Sequence, residues 1–312
     1  MNQKQILECL KSIRPSAKLP SQITFEVLEG CLFLKLSGKG VVANMQEDKS
    51  AFEGWSIVLK AALSNIENVT LDWESPVFTN GKENAQKAHY NRFLIRVANF
   101  KQAYAWFNIA ESHINEVENM QTLLDSKSIV ITYPSKECSP ITDAKKQQEA
   151  ILERKLVELW KKDCPITDEQ LPIGLFNGIK SRETALTPER KSQIDLWQLD
   201  KSTMRIYEVK VKGNESIGII SELMFYVCTI KNIVDGRITY PDVSKVKSYR
   251  HFADFADAVA KRKIDNIIGY FTAPNMHPLL ESPKLKDTIA EILNDNRFGV
   301  KFEFKNISHL TE

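Results

Sequence analysis

Polar and apolar residues alternate in two neighbouring stretches, QIDLWQL (193–199) and RIYEVKVK (205–212), the period-2 pattern of half-buried strands. In the first, Asp195, Trp197 and Leu199 share one face and Ile194, Leu196 and Gln198 the other. In the second, Ile206, Glu208 and Lys210 face one way, and Tyr207, Val209 and Val211 the opposite way. Asp200, Lys201, Ser202 and Thr203 supply turn chemistry between them. An antiparallel hairpin is therefore expected, with Asp195 near Glu208. Lys212-Gly213-Asn214 ends the second strand, and SIGIISELMFYVCTIKNI then reads as a mostly buried helix whose polar exceptions are Ser221, Glu222 and Tyr226. A buried glutamate calls for a partner. For Glu222, an ion pair with Lys210 or an arginine and a place beside a functional site both answer that need.

Upstream, DAKKQQEAILERKLVELWKKD (143–163) has helical periodicity, with Asp143 as N-cap and Ile151, Leu152, Leu156, Leu159 and Trp160 on its apolar face. Glu149 and Glu153, four residues apart, share one side of it. The segment 171–191 is weakly patterned, with a strand expected near 171–176. Downstream come a basic amphipathic helix (244–263), a strand NIIGYFTA (266–273), a helix (282–295) and a strand VKFEFKNI (300–307). This alternation predicts a mixed sheet flanked by helices.

The first part of the chain reads as α+β: strands ITFEVLEG and CLFLKLSG turning at Glu29-Gly30, a strand at 68–74, helices over 50–65, 84–100 and 113–125, and a strand SIVITYP. PSKECSPITD (134–143) has linker composition. The domains are accordingly expected at 1–140 and 141–312. Between Tyr90 and Phe107, aromatic side chains (Tyr90, Phe93, Phe100, Tyr104, Trp106, Phe107) interleave with Arg92, Arg96 and Lys101. Such a stretch can stack on a nucleic-acid strand. The favoured expectation is plainer, with the aromatics in a core and the cations facing solvent.

Composition narrows the classes. Net charge is +2, and residues 1–140 carry equal numbers of acidic and basic side chains. Neither half is a broadly basic nucleic-acid binder, so such a surface would be a local patch. Five cysteines with no CxxC spacing argue against a disulfide framework or a zinc site. His251 and His277 lie in no HxH or HxxxH arrangement. The N-terminus lacks a signal-peptide core, and the longest apolar run is too short for a bilayer span and contains Glu222. A cytoplasmic protein is expected. No internal repeat or low-complexity segment is visible.

A helix with Glu149 or Glu153, a strand with Asp195, a strand with Glu208-Val209-Lys210 and a helix with Ser221-Glu222 together resemble the PD-(D/E)XK nuclease superfamily, over residues 144–275. Ile194 stands where the family name has proline, and Glu222 where a neutral donor is more usual. The resemblance implies a restriction-endonuclease-like core behind a separate α+β N-terminal domain. It also implies metal-dependent phosphodiester hydrolysis, with DNA as the expected substrate. Asp195, Glu208 and the Val209 carbonyl would hold Mg²⁺ or Mn²⁺, Lys210 would act beside the attacking water, and Glu149 or Glu153 would assist. Ser221 and Glu222 would support these groups from behind. The N-terminal domain would select substrate, or a partner such as a second copy. The alternative is an inactive nuclease-like module that binds nucleic acid or assembles with protein.

Overall fold

The computed structural model describes residues 1–63, 65–145, 147–188, 192–240 and 247–310, so parts of the sequence expectations at 64, 146, 189–191 and 244–246 lie outside the described residues. The elements run α1 (Gln3–Ile13), β1 (Ile23–Leu28), β2 (Cys31–Leu36), α2 (Gly38–Val41), α3 (Phe52–Ala62), β3 (Asn68–Trp73), α4 (Glu83–Ala103), β4 (Phe107–Ile109) and α5 (Ile114–Asp125). They continue β5 (Ile129–Ile131), α6 (Gln148–Trp160), β6 (Thr167–Pro172), β7 (Leu175–Asn177), β8 (Gln193–Asp200) and β9 (Thr203–Val209). The remainder is α7 (Gly218–Val234), α8 (Phe252–Ala260), β10 (Asn266–Ala273), α9 (Lys286–Asn294) and β11 (Lys301–Asn306). The class is α+β, with helices packed on mixed sheets.

Two compact units divide the chain, and neither is continuous in sequence. The first comprises 1–122, 215–222 and 276–299; the second comprises 123–214, 223–275 and 300–312. The division therefore falls before the linker-like 134–143, and two later segments return to the first unit.

In the first unit the sheet order is β1-β2-β3-β4. Strands β1 and β2 are antiparallel and close on Leu28↔Cys31, leaving a two-residue turn at Glu29 and Gly30 with φ of 47° and 76°. This is the left-handed pair that a tight hairpin requires. Strands β3 and β4 continue in parallel. Beneath the sheet, Phe52 meets Phe93, Phe100 and Phe107 at ring separations of 5.6, 5.8 and 5.9 Å. The aromatics of 90–107 thus build a core. The expectation of solvent-facing cations fails for Arg92 and Arg96, which are buried. Arg96 pairs with Glu53 through Nε at 2.8 Å and through Nη2, which also donates to the Ser50 carbonyl at 2.8 Å. A fully bonded guanidinium can sit in a core that a bare one could not.

The second unit is built on the order β11-β10-β9-β8-β6, with β11, β10 and β9 parallel and β9, β8 and β6 antiparallel. On one face, Leu152, Leu156 and Val157 of α6 pack on Leu196, Tyr207 and Val209. On the other, Trp197 meets Phe255 of α8 at 5.9 Å, and Leu223 and Val227 of α7 close over Gly269, the β10 neighbour of Ile206. Strand β9 is thus covered on both faces.

Three local expectations need correction. Asp143 does not cap α6, which begins at Gln148; its Oδ1 takes the Lys145 N–H at 3.1 Å while Gln147 closes the preceding turn by accepting the Thr142 and Asp143 N–H groups. The strand expected near 171–176 is two strands, β6 and β7, interrupted at Ile173-Gly174 just after Pro172, which has no N–H for a ladder. The helix over 244–263 is described only as 252–260.

Close backbone approach fixes residues 215–222 in the first unit. The Ile217 N–H donates to Asp48 Oδ1 at 2.9 Å, and a Cβ built on Gly218 would lie 2.0 Å from the Gln46 carbonyl oxygen. Gly218→Ala must push backbone against backbone. It is expected to destabilise the protein by at least about 2 kcal/mol in urea unfolding; an unchanged midpoint would mean that the segment sits elsewhere.

Candidate active site

The β8–β9 hairpin assembles the site. Its ladder runs from Asp200↔Thr203, around Lys201 at φ 54°, to Leu196↔Tyr207. One more rung in the same register sets Asp195 opposite Glu208, on the face away from α6. There Asp195 Oδ2 accepts the Val209 N–H at 2.9 Å. The Lys210 N–H instead turns to β10, donating to the Thr272 carbonyl at 2.9 Å. Successive strand residues point their polar groups in opposite directions, and a residue's own N–H and C=O point the same way. The Val209 carbonyl therefore faces the Asp195 side, beyond the last rung.

Glu208 has no solvent exposure, and Lys210 is 6% exposed. Lys210 Nζ binds Glu208 Oε1 and lies 3.6 Å from Glu149 Oε1. Glu149 belongs to the first turn of α6, where the helix dipole favours a carboxylate. One turn later Glu153 is 5% exposed. Its carboxyl is pushed up to about 9, first by burial and then by the negative charges of Asp195, Glu149 and Glu169.

Glu169 is the acid that the sequence reading missed. Strand β6 alternates Thr167, Glu169 and Leu171 inward, but its start lies four residues before the expected strand. Arg154 Nε pairs with Glu169 Oε1 at 3.1 Å, while its buried Oε2 has no hydrogen-bond partner among the described residues. Gln170 was also missed. It sits between the rungs Glu169↔Leu196 and Leu171↔Ile194, opposite Asp195, with φ 53°. A left-handed non-glycine residue costs about 1–2 kcal/mol, and such strain gathers at working sites. Arg250 Nη1 caps the Gln170 carbonyl at 2.6 Å, and the Gln170 carboxamide reaches Glu153 Oε2 at 3.4 Å.

Asp195, Glu208, Lys210, Glu149 and Glu153 are therefore brought together. Ser221 and Glu222 group with the first unit, where Ser221 Oγ donates to Glu53 Oε2 at 2.7 Å and Gln46 Nε2 donates to Glu222 Oε1 at 2.6 Å.

Family models, curated proteins and solved structures offer no match to this chain. The chemistry must be read from the geometry alone. The acids supply hard oxygen donors without histidine or cysteine, the ligand chemistry of Mg²⁺ or Mn²⁺. Burial is the first cause of the proton held on Glu153; the neighbouring negative charges are the second, and these a divalent cation would offset. Among the described residues, however, no three His, Cys, Asp or Glu side chains stand as a ready metal-binding group. Lys210 occupies Glu208, so a cation would have to displace its ammonium.

Raising the carboxyl of Glu153 from 4.5 to about 9 has a definite sign. The folded state keeps a proton that the unfolded chain releases, so stability falls as pH rises between those two values. Replacing Glu153 with Gln removes this loss. The stability difference between Glu153→Gln and the parent should widen in the variant's favour by about 1.4 kcal/mol per pH unit. Urea curves at pH 5.5, 7 and 8.5 test it; a constant difference means that Glu153 is ionised in the fold.

Proposed function

We propose that the second unit is a nuclease of the PD-(D/E)XK kind, with a restriction-endonuclease-like sheet, hydrolysing phosphodiester bonds in DNA with Mg²⁺ or Mn²⁺. The observation that carries this reading is the acid–acid–lysine set at the end of the β8–β9 hairpin, where Asp195 accepts the Val209 N–H and Lys210 binds Glu208 while standing 3.6 Å from Glu149. Asp195, Glu208 and the Val209 carbonyl would hold the ion. Such an ion offsets charge on the phosphate and lowers the pKa of a water molecule.

The protein's own groups supply the rest. Lys210, released from Glu208, carries a partly desolvated ammonium that can stabilise negative charge developing on the phosphate oxygens. Glu149 stands 3.6 Å from that ammonium and can hold it in place once Glu208 is engaged. Glu153 keeps a proton at neutral pH. In the hydrolysis water adds to phosphorus, one P–O ester bond breaks, and the departing oxygen gains a proton. The first unit would select substrate or partner, including a second copy. The cysteines are all free, which fits a cytoplasmic protein.

The Lys210–Glu208 contact also favours a second reading, a nuclease-like module that binds nucleic acid or assembles with protein without cutting. One experiment separates the two. The purified full chain is incubated with linear, circular and single-stranded DNA and with RNA, in Mg²⁺, Mn²⁺ or EDTA, alongside Asp195→Asn and Lys210→Ala. Metal-dependent DNA cleavage is expected, with each variant about 10²–10³-fold slower. Millimolar Mg²⁺ should raise the melting temperature, since it would bind only the native state. DNA binding without cleavage under either metal establishes the second reading.

A further inference from the structure

Strand β6 breaks its own alternation at one residue. Thr167, Glu169 and Leu171 point inward, and Glu169 stands opposite Leu196, on the sheet face that α6 covers. An extended residue at position 170 would therefore project to the other face, with Asp195. Gln170 does not. With φ at 53° it leaves the extended region, and its Nε2 donates to Glu153 Oε2 on α6 at 3.4 Å. The left-handed backbone thus turns the carboxamide from one face of the sheet toward the helix on the other.

Such a conformation has to be held, because the ladder with β8 continues on both sides of it. Arg250 Nη1 donates to the Gln170 carbonyl at 2.6 Å and reaches Cys138 Sγ at 3.5 Å. The clamp is strained as well. The Phe252 N–H donates to the Tyr249 carbonyl at 3.0 Å across Arg250 and His251, each at φ 50°. Turns with two left-handed central residues usually take glycine, asparagine or aspartate there. Three left-handed residues from two separate stretches of chain therefore serve one contact. Strain of this kind persists only where the surroundings over-determine it, and it clusters at sites whose geometry matters.

The carboxyl at the end of this series of contacts is 5% exposed, and Gln170 is its hydrogen-bond donor. Acids around a bound ion depend on outer contacts to set the direction of their oxygens. Granting the nuclease reading above, we infer that Gln170 is a positioning residue of that site: Arg250 holds its backbone, and its carboxamide fixes the Glu153 carboxyl for the ion at Asp195 and Glu208. Its effect on the reaction passes through Glu153.

The test separates strain from function in the full chain, with Gln170→Gly and Gln170→Ala. Glycine accepts the left-handed backbone, alanine keeps the strain, and neither has a carboxamide. Gln170→Gly is expected to unfold in urea at a midpoint no lower than the parent's, and Gln170→Ala at a lower one. Both should bind Mn²⁺ at least about tenfold more weakly in calorimetric titration, the usual loss for an outer contact of a metal site. DNA cleavage at saturating Mn²⁺ should show kcat lower by at least about tenfold and KM within about twofold, because no substrate contact is removed. Where the parent binds Mn²⁺ without cutting, the loss of Mn²⁺ affinity alone supports the role. A Gln170→Gly variant that binds Mn²⁺ as tightly as the parent overturns the positioning role and leaves the nuclease reading standing. A parent that neither binds Mn²⁺ nor cuts overturns the nuclease reading, and the positioning role falls with it.

Discussion

A carboxylate at the centre of the five-stranded sheet is the constraint around which the second unit is arranged. Glu208 lies on the middle strand, covered on both faces and without solvent exposure. Removing such a charge from water costs several kcal/mol, and an apolar pair of similar volume would serve the sheet at least as well. Lys210 offsets part of that cost from the same strand. Glu149 and Glu153 approach from the helix, Asp195 from the neighbouring strand and Glu169 from the edge. Burial, and then the negative charges of Asp195, Glu149 and Glu169, keep the proton on Glu153.

The buried pair of the first unit provides a contrast. Arg96 and Glu53 are both nearly inaccessible, but their bonding closes: Nε and Nη2 engage both carboxylate oxygens, Nη2 also reaches the Ser50 carbonyl, and Ser221 donates to Glu53 Oε2. Such a network orders a core and offers little to a ligand. Two buried ion pairs of similar composition thus have different characters. Arg96 and Glu53 sit among hydroxyl and carbonyl partners, whereas Lys210 and Glu208 sit beside further acids from α6 and β8.

Strain follows the same division. In the second unit Gln170 takes a left-handed backbone beside Asp195 with its carbonyl held by Arg250, itself at φ 50°. In the first, Glu29 and Gly30 adopt left-handed values because a two-residue hairpin demands them. One is explained by chain reversal. The other lies within a strand, where no turn requires it.

Local patterns in the sequence determined much of this protein. Period-2 alternation placed β8 and β9, and the apolar stretches NIIGYFTA and VKFEFKNI placed β10 and β11; the polar turn at Asp200–Thr203 joined β8 to β9; and the shared face of Glu208 and Lys210 follows from their spacing alone. These features depend on residues two to four apart, whose relative directions the backbone dictates. Tertiary structure decided what depends on distant pairing. The register of β6 on β8 brought Glu169 and Gln170 to the acids, and packing against α3 drew Arg96 out of solvent. Segments 215–222 and 276–299 joined a unit whose first stretch ends more than 90 residues earlier. Alternation states which face a residue occupies, but only the completed sheet states what lies opposite it.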